Sequence, residues 1–287
     1  MTPAARIAPY VRRTPVMRAE ADGRPLVFKL EHLQLTGSFK VRGAVNKLLS
    51  LDRPSEVVTA SGGNHGLGVA MAAQLLGVHA TVFVPITAPE SKTRRIEEAG
   101  AKLIRYGATY AQAAAEARTF GVTYLEAYND PDVIAGQSTV AAEIVEDAPD
   151  VDSIVVAVGG GGLVAGTCLS AGGRLVVAVE PDGCCAMHNA LEAGTPVDSP
   201  VDSVAASALG ATRAGEVPLE ILQRHDVRSV LVSDAELLAA RDRLWEEFRF
   251  AVEPASAVAF AAFLKGEVPG ELPCVLLCGA NSSWLPE

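Results

Sequence analysis

Short β-branched runs alternate with helix-forming runs along most of this chain, and no other feature limits the fold as tightly. Residues 57–60 precede a helical stretch over 66–76, residues 80–84 one over 89–99, and residues 101–106 one over 110–120. The pattern resumes with 153–158 before 163–171 and with 175–179 before 184–193. A helix between two strands carries the chain back to the end where the first strand began. Such strands pair in parallel and the helices cover both faces. The connections are short and rich in Gly and Pro, as such layers require. The expected class is therefore α/β with mainly parallel sheets. The alternation falls into blocks: residues 48–132 make a small inserted α/β domain, and residues 1–47 with 133–287 make a larger one. A cleft between two such domains is the natural place for a ligand.

Composition narrows the function classes. With 287 residues, 49% hydrophobic and 20% charged, the chain suits a globular protein with a large core, not a disordered one. A net charge of −10 without a basic patch argues against nucleic acid and anionic membranes as partners. No apolar run has the length of a membrane span, and residues 1–10 lack a signal-peptide core, so a cytoplasmic protein is expected. The five cysteines are odd in number and form no CxxC pair, which speaks against a disulfide framework or a zinc site. The histidines show no HExxH spacing, and His32, His79, His188 and His225 read as surface or capping residues.

Four loops carry the candidate chemistry. The first is Thr36-Gly37-Ser38-Phe39-Lys40-Val41-Arg42-Gly43-Ala44. Burial of the Lys40 ammonium among Phe39, Val41 and Ala44 lowers its pKa, and the neutral amine is a nucleophile able to form a Schiff base. The second loop, Ser61-Gly62-Gly63-Asn64-His65, follows a strand and opens a helix. Ser61 is placed to cap that helix, and the bare glycine amides at its start suit a carboxylate. Asn64 offers both a donor and an acceptor. The third loop is Gly159-Gly160-Gly161-Gly162. Four consecutive glycines are entropically costly, and converging amides at a helix start make a phosphate nest. Read alone, Gly160-x-Gly162-x-x-Ala165 with Glu180 after the next strand also fits a loose dinucleotide fingerprint. A nicotinamide-dependent oxidoreductase therefore stays open at this point. The fourth loop, Cys278-Gly279-Ala280-Asn281-Ser282-Ser283, follows a strand over 274–277 and can face a cleft.

Taken in this order, with Glu31-His32-Leu33-Gln34, Ala135-Gly136-Gln137 and Val252-Glu253-Pro254, the loops resemble those of the fold type II pyridoxal-phosphate enzymes. Within them the chain is similar to the serine/threonine dehydratases (threonine ammonia-lyases) and serine racemases. The resemblance runs from Arg13-Thr14-Pro15 to Asn281 and implies the tryptophan synthase β-like, two-domain fold. It implies that Lys40 binds the cofactor covalently and later removes the substrate Cα proton. Phe39 would pack on the pyridine ring and Asn64 would bond its phenolic oxygen. Gly159, Gly160, Gly161 and Gly162 would hold the phosphate, Cys278 would face the pyridine nitrogen, and Glu253 would lie near the ring. Ser61, Gly62, Asn64 and His65 would form the substrate-carboxylate site. The implied reaction converts a hydroxy amino acid, L-threonine or L-serine, to a 2-oxo acid and ammonia. The family's common state is a homodimer.

Departures from the family pattern sharpen the expectation. Gly62 stands where racemases carry a second serine, so the proton donor for the opposite face is missing and dehydration is favoured over racemization. A 3-hydroxyaspartate dehydratase would need a cation for the second substrate carboxylate, and none is assigned. Relatives hold a divalent cation beside the phosphate-site strand with two acids. Glu180 matches the first and Ala186 falls at the second, with Asp182 nearby, so a Mg²⁺ site would rest on Glu180, carbonyls and water. The sequence ends soon after the Cys278 loop, so no C-terminal regulatory domain and no isoleucine feedback are expected.

Overall fold

The computed structural model describes residues 1–282, apart from the side chains at 91 and 92; Ser283 of the fourth loop lies outside the described residues. In chain order the strands are β1 (Val16–Ala21), β2 (Arg24–Lys29), β3 (Glu56–Ala60), β4 (His79–Val84) and β5 (Lys102–Arg105). They continue with β6 (Thr123–Tyr124), β7 (Ser153–Ala157), β8 (Leu175–Pro181), β9 (Val227–Val232) and β10 (Pro273–Leu276). The helices are α1 (Pro3–Ile7), α2 (Lys40–Ser50), α3 (Asn64–Leu76), α4 (Glu90–Glu98), α5 (Tyr110–Arg118) and α6 (Pro131–Asp147). Then come α7 (Gly162–Ser170), α8 (Ala186–Ala193), α9 (Ala206–Leu209), α10 (Glu216–Leu222), α11 (Asp234–Phe248) and α12 (Pro254–Leu264).

Six strands form one sheet in the order β1-β2-β10-β7-β8-β9, and four form another in the order β5-β4-β3-β6. Every described pairing is parallel except that of β1 with β2. That hairpin turns at Asp22 and Gly23, with φ of 52° and 69°, the two left-handed positions that a tight two-residue turn requires. The strand Ser153–Ala157, apolar after its first residue, is buried throughout, as in a strand covered on both faces. The α/β class with mainly parallel sheets is what the alternation predicts. The expected elements recur within two residues, whereas β1, β2, β6, β9 and the helices α1, α2, α6 and α9 to α12 carry no pattern that the sequence reading assigned.

Helix α2 lies where two cores meet. Phe39, just before it, packs into the core of the six-stranded sheet. Val41, Ala44, Val45 and Leu48 pack with Val57, Val69 and Val82 of the four-stranded one. Neighbouring helices close on α2 only because glycines let them. A Cβ on Gly136 of α6 would lie 2.6 Å from Gly43 Cα, and one on Gly68 of α3 would lie 3.1 Å from Lys40 Cβ.

A buried ionic cluster fixes the same helix. Arg42 Nε and Nη2 donate to Glu31 at 2.9 and 2.7 Å, and Nη1 and Nη2 donate to Glu143 at 2.7 and 2.9 Å. Lys29 Nζ donates to Glu143 Oε2 at 2.6 Å. Burial works against the Arg42 charge, yet Glu31 and Glu143 hold its pKa above the ordinary value. One expectation fails nearby: His32 is 9% exposed and its ring lies 5.3 Å from that of Phe250, so it is a core residue. Burial pushes its pKa down to about 4, against the pull of Glu31.

Candidate active site

Each of the four loops lies beyond the C-terminal end of a strand, β2, β3, β7 or β10, where parallel sheets present their ligand sites. Backbone bonds draw the first and fourth together. Phe39 N donates to Cys278 O at 3.2 Å, Ala280 N to Gly37 O at 2.9 Å, and Ser38 bridges Gly279.

Lys40 opens α2, and its Nζ donates to Ala127 O at 3.1 Å while lying 5.1 Å from the Phe39 ring centroid. Burial lowers its pKa to about 8, against the raising influence of Cys278 and Glu253. Next in sequence to Ala127, Tyr128 sets its ring against the Cβ position of Gly160 and its own Cα and Cβ against that of Gly162. Lys40 and the glycine loop therefore share one short segment as a neighbour.

The glycine loop is closed from outside and bare within. Cβ atoms on Gly160 or Gly162 would collide with Tyr128, one on Gly161 with Met187 and Pro218, and one on Gly159 would lie 3.0 Å from Leu209 Cα. Gly161 takes φ of 98°, a left-handed conformation that suits glycine. Among the described residues the N–H groups of Gly159, Gly160, Gly161, Gly162, Leu163 and Val164 have no acceptor, although Gly160 O and Gly161 O are bonded. Six free donors where a helix begins match a phosphate dianion in charge and geometry.

Asn64 is bonded on both sides of its amide. Its Nδ2 donates to Glu253 Oε1 at 2.7 Å, and its Oδ1 accepts from Asn281 Nδ2 at 2.7 Å. The second Nδ2 hydrogen has no partner among the described residues and is free for a ligand oxygen. Ser38 Oγ, wholly buried beside Gly279, is likewise without a partner. Unspent polar atoms in a buried site mark where a ligand can bond.

Cys278 is held as a neutral thiol. Ser256 Oγ donates to Gly279 O at 2.6 Å and accepts from Gly279 N at 2.5 Å. Its one hydrogen is thus spent, and the 3.3 Å contact with Cys278 Sγ must use the thiol's proton. Burial pushes the Cys278 pKa up to about 12.

The Ser61 loop differs in detail from expectation. Helix α3 has Gly63 as its N-cap without a side-chain cap, and Ser61 Oγ instead accepts from Gly63 N at 3.2 Å. The His65 ring points inward: Nε2 meets Thr59 Oγ1 at 3.0 Å and Leu125 O at 3.1 Å. Burial, with the nearby Lys40 charge, pushes its pKa down to about 3, so the ring is neutral and bonds a carbonyl through Nε2–H. What His65 offers the cleft is its backbone N–H in the first turn of α3. A Cβ on Gly62 or Gly63 would meet only ordinary contacts, with Val84 and Ala88 at 3.7 and 3.8 Å from Gly62 and Ser207 O of α9 3.6 Å from Gly63.

Glu180 does not serve a metal or a ribose here. It is fully buried, and its two oxygens accept from Met187 N at 2.9 Å and His188 N at 2.7 Å, capping α8. Burial raises its pKa to about 8 against those two bonds. Among the described residues no group of three His, Cys, Asp or Glu could hold an ion. The donor set does not fit Mg²⁺, and the acid of the loose dinucleotide fingerprint is not free to bond a sugar. Arg42 is consumed by Glu31 and Glu143, so it cannot supply the cation for a second substrate carboxylate. Residues to which sequence reasoning gave no role also enter the site: Ala127, Tyr128, Ser256 and Asn281. Asn281 was visible as a polar residue just beyond the strand carrying Cys278, and the others bear no local signal.

The sequence pattern of the family described as pyridoxal-phosphate dependent enzyme matches residues 7–279. The chain belongs to that family. The free donors at the glycine loop, Lys40 with its lowered pKa and the unspent Asn64 hydrogen fit its cofactor. The chain is similar to an L-threonine ammonia-lyase of Thermotoga maritima, 35% identical over 92% of this chain and 69% of that protein. It is also similar to a beta-hydroxyaspartate dehydratase of Paracoccus denitrificans, 35% identical over 96% of this chain and 93% of the relative. Among solved structures, maize serine racemase superposes with a TM-score of 0.93 at 31% identity, covering 98% of this chain and 92% of the other. The fold is thus that of the fold type II enzymes.

Proposed function

We propose that this protein is a pyridoxal-phosphate dependent ammonia-lyase that dehydrates and deaminates a β-hydroxy amino acid, L-threonine or L-serine. The observation that carries the reading is the placing of Lys40 at the meeting of both cores, within the electrostatic reach of Cys278 and Glu253 and bonded to Ala127, the residue before the glycine loop's neighbour Tyr128. When bound, pyridoxal phosphate supplies a sink for the electron pair left at Cα. Lys40 holds the cofactor and, when free, takes the Cα proton; its pKa of about 8 suits a base working near neutrality. Gly159 to Gly162 hold the phosphate through backbone N–H groups. Ser61 and the N–H groups of Asn64 and His65 hold the substrate carboxylate at the start of α3. Cys278, a neutral thiol that donates its hydrogen bond to Ser256, sets no charge beside the pyridine nitrogen. The Cα–H bond breaks toward Lys40, the β-hydroxyl takes up one proton, such as the one Lys40 has gained, and leaves as water, and the resulting enamine takes up water to give a 2-oxo acid and ammonia.

Racemization is disfavoured because Gly62 offers no hydroxyl, and a hydroxyaspartate substrate because Arg42 is occupied. The reading includes a small domain over 48–132, supported by the four-stranded sheet lying between Glu56 and Tyr124. It also includes a cytoplasmic homodimer, for which five free, buried cysteines favour a reducing compartment and two-fold closure is the common assembly. No described helix is long and apolar enough to cross a membrane. The test is 2-oxo acid release from L-threonine and L-serine with added cofactor, against Lys40→Ala. Product from the wild type alone supports the proposal; a protein with no cofactor band that borohydride fixes at Lys40 refutes it.

A further inference from the structure

Asn64 is reached by a chain of hydrogen bonds whose polarity is set at both ends. Arg95 of α4 donates through Nη1 to Asn281 Oδ1 and, at 3.5 Å, through Nη2 to Thr36 O. Asn281 Nδ2 donates to Thr36 O at 2.8 Å and to Asn64 Oδ1 at 2.7 Å. Asn64 Nδ2 donates to Glu253 Oε1 at 2.7 Å. A guanidinium can only donate, and an ionised carboxylate or a peptide carbonyl can only accept. With a donor at one end and acceptors at the other, each amide has a single orientation that satisfies the chain. A flipped Asn281 would turn its N–H groups on Arg95 and its oxygen on Thr36 O, losing every bond. The backbone is shaped for this contact. Thr36 and Gly37 take φ of 69° and 74°, and a Cβ on Gly37 would lie 2.9 Å from Asn281 Oδ1. The chain of bonds also crosses the molecule. Arg95 and Asn64 lie on α4 and α3 beside the four-stranded sheet, whereas Asn281 follows β10 of the six-stranded one.

The geometry points to Asn281, steadied by Arg95, as a positioning residue that sets the Asn64 amide so that its free Nδ2 hydrogen faces the cofactor's ring oxygen. This rests on the reading of Asn64 given above. Asp at 281 can accept from Arg95 but cannot donate, so Asn64 must turn its nitrogen to it and set its oxygen against Glu253. Arg95→Lys keeps a donor, and Arg95→Glu reverses it.

The test uses the holoenzyme variants Asn281→Asp, Arg95→Glu, Arg95→Lys and Asn64→Ala, with Lys40→Ala as control. It reads pyridoxal-phosphate affinity, the position of the visible absorption band and the unfolding midpoint. Asn281→Asp is expected to weaken cofactor binding roughly tenfold, the worth of one hydrogen bond, and to move the band in the same direction as Asn64→Ala. Arg95 is exposed, so Arg95→Glu should move both readouts in the same sense by less, about threefold in affinity, and Arg95→Lys should stay with the wild type. An unchanged band and affinity in Asn281→Asp, while Asn64→Ala shifts them, overturns the role of Asn281. If Asn64→Ala itself changes neither, the ring-oxygen reading falls and the positioning role with it. Equal losses in Arg95→Lys and Arg95→Glu with a lowered unfolding midpoint would mean packing alone and would also overturn the proposal. A Lys40→Ala protein that keeps a borohydride-fixable band would instead refute the proposed function.

Discussion

Glu143→Gln tests whether the helix bearing Lys40 is anchored by charge balance in the core. Arg42 and Lys29 face Glu31 and Glu143, and the four charges cancel. The side chains of Arg42, Glu31 and Lys29 are 1%, 0% and 0% exposed, and that of Glu143 is 13% exposed. Glu143 accepts three charged hydrogen bonds, two from Arg42 and one from Lys29. Replacing it by Gln keeps the shape but leaves one buried positive charge without its partner, which costs about 3–5 kcal/mol. The lower end applies, because Glu143 borders a cavity of about 150 Å³ with Arg42 and Thr139 that can admit water. Unfolding entropy for 287 residues is roughly 0.6 kcal/mol per degree, so the midpoint should fall by about 5 °C. Lys29→Met/Glu143→Gln removes the surplus cation and should regain at least half of that loss. Circular dichroism melts at pH 7.5 provide the assay. A single variant within about 1 °C of the wild type, or a double variant no better than the single, would refute the charge-balance reasoning.

Gly62→Ser should raise D-serine formation from L-serine at least about tenfold, a floor set below the roughly 10²–10⁴-fold that a well-placed acid contributes. A Cβ there meets only Val84 and Ala88 at 3.7 and 3.8 Å, so the serine fits. Chiral chromatography reads the result, and D-serine at the wild-type level in a folded variant would count against Gly62 as the reason for disfavoured racemization. His65 supplies a pH signature of stability. Its folded pKa lies at about 3 against 6.5 for the ordinary imidazole, so its contribution is whole above 6.5 and is lost as pH falls toward 3. Over that window the unfolded state binds the extra proton, and stability drops by up to about 1.4 kcal/mol per pH unit. The difference between the wild type and His65→Gln in urea melts should therefore shrink as pH falls from 7 to 5; a difference independent of pH would refute the buried neutral imidazole.

The repeating strand–helix units could be read from local pattern because buried parallel strands are nearly continuous apolar runs and glycine or proline marks many helix ends. The strands 153–157 and 175–181 and the helices after them lie where β-branched density and glycines put them. The hairpin of β1 and β2 escaped, although Asp22-Gly23 is a turn signal, because Val16–Ala21 is only partly buried and its alternation is weak. Strand β6 has two residues, too few for any period. His32 looked like a surface residue because a lone histidine carries no sign of what packs on it, and Phe250 is more than two hundred positions away. The expected Ser61 cap failed for a geometric reason: Gly63 takes the N-cap position, and the serine bonds the loop instead.

The sequence by itself determined the class of fold, the four loops and the residues able to bind a carbonyl, a phosphate and a carboxylate, since these depend on residue type and short spacing. Only the tertiary structure decided how those residues are spent. Glu180 became a helix cap, Arg42 a buried counter-ion, and the His65 ring a support for Leu125, because each was claimed by partners packed against it. Asn64 acquired one orientation because Arg95, Asn281 and Glu253 converge on it from segments far apart in the chain. Hydrogen-bond polarity is a property of neighbours in space, and no periodicity along a chain can express it.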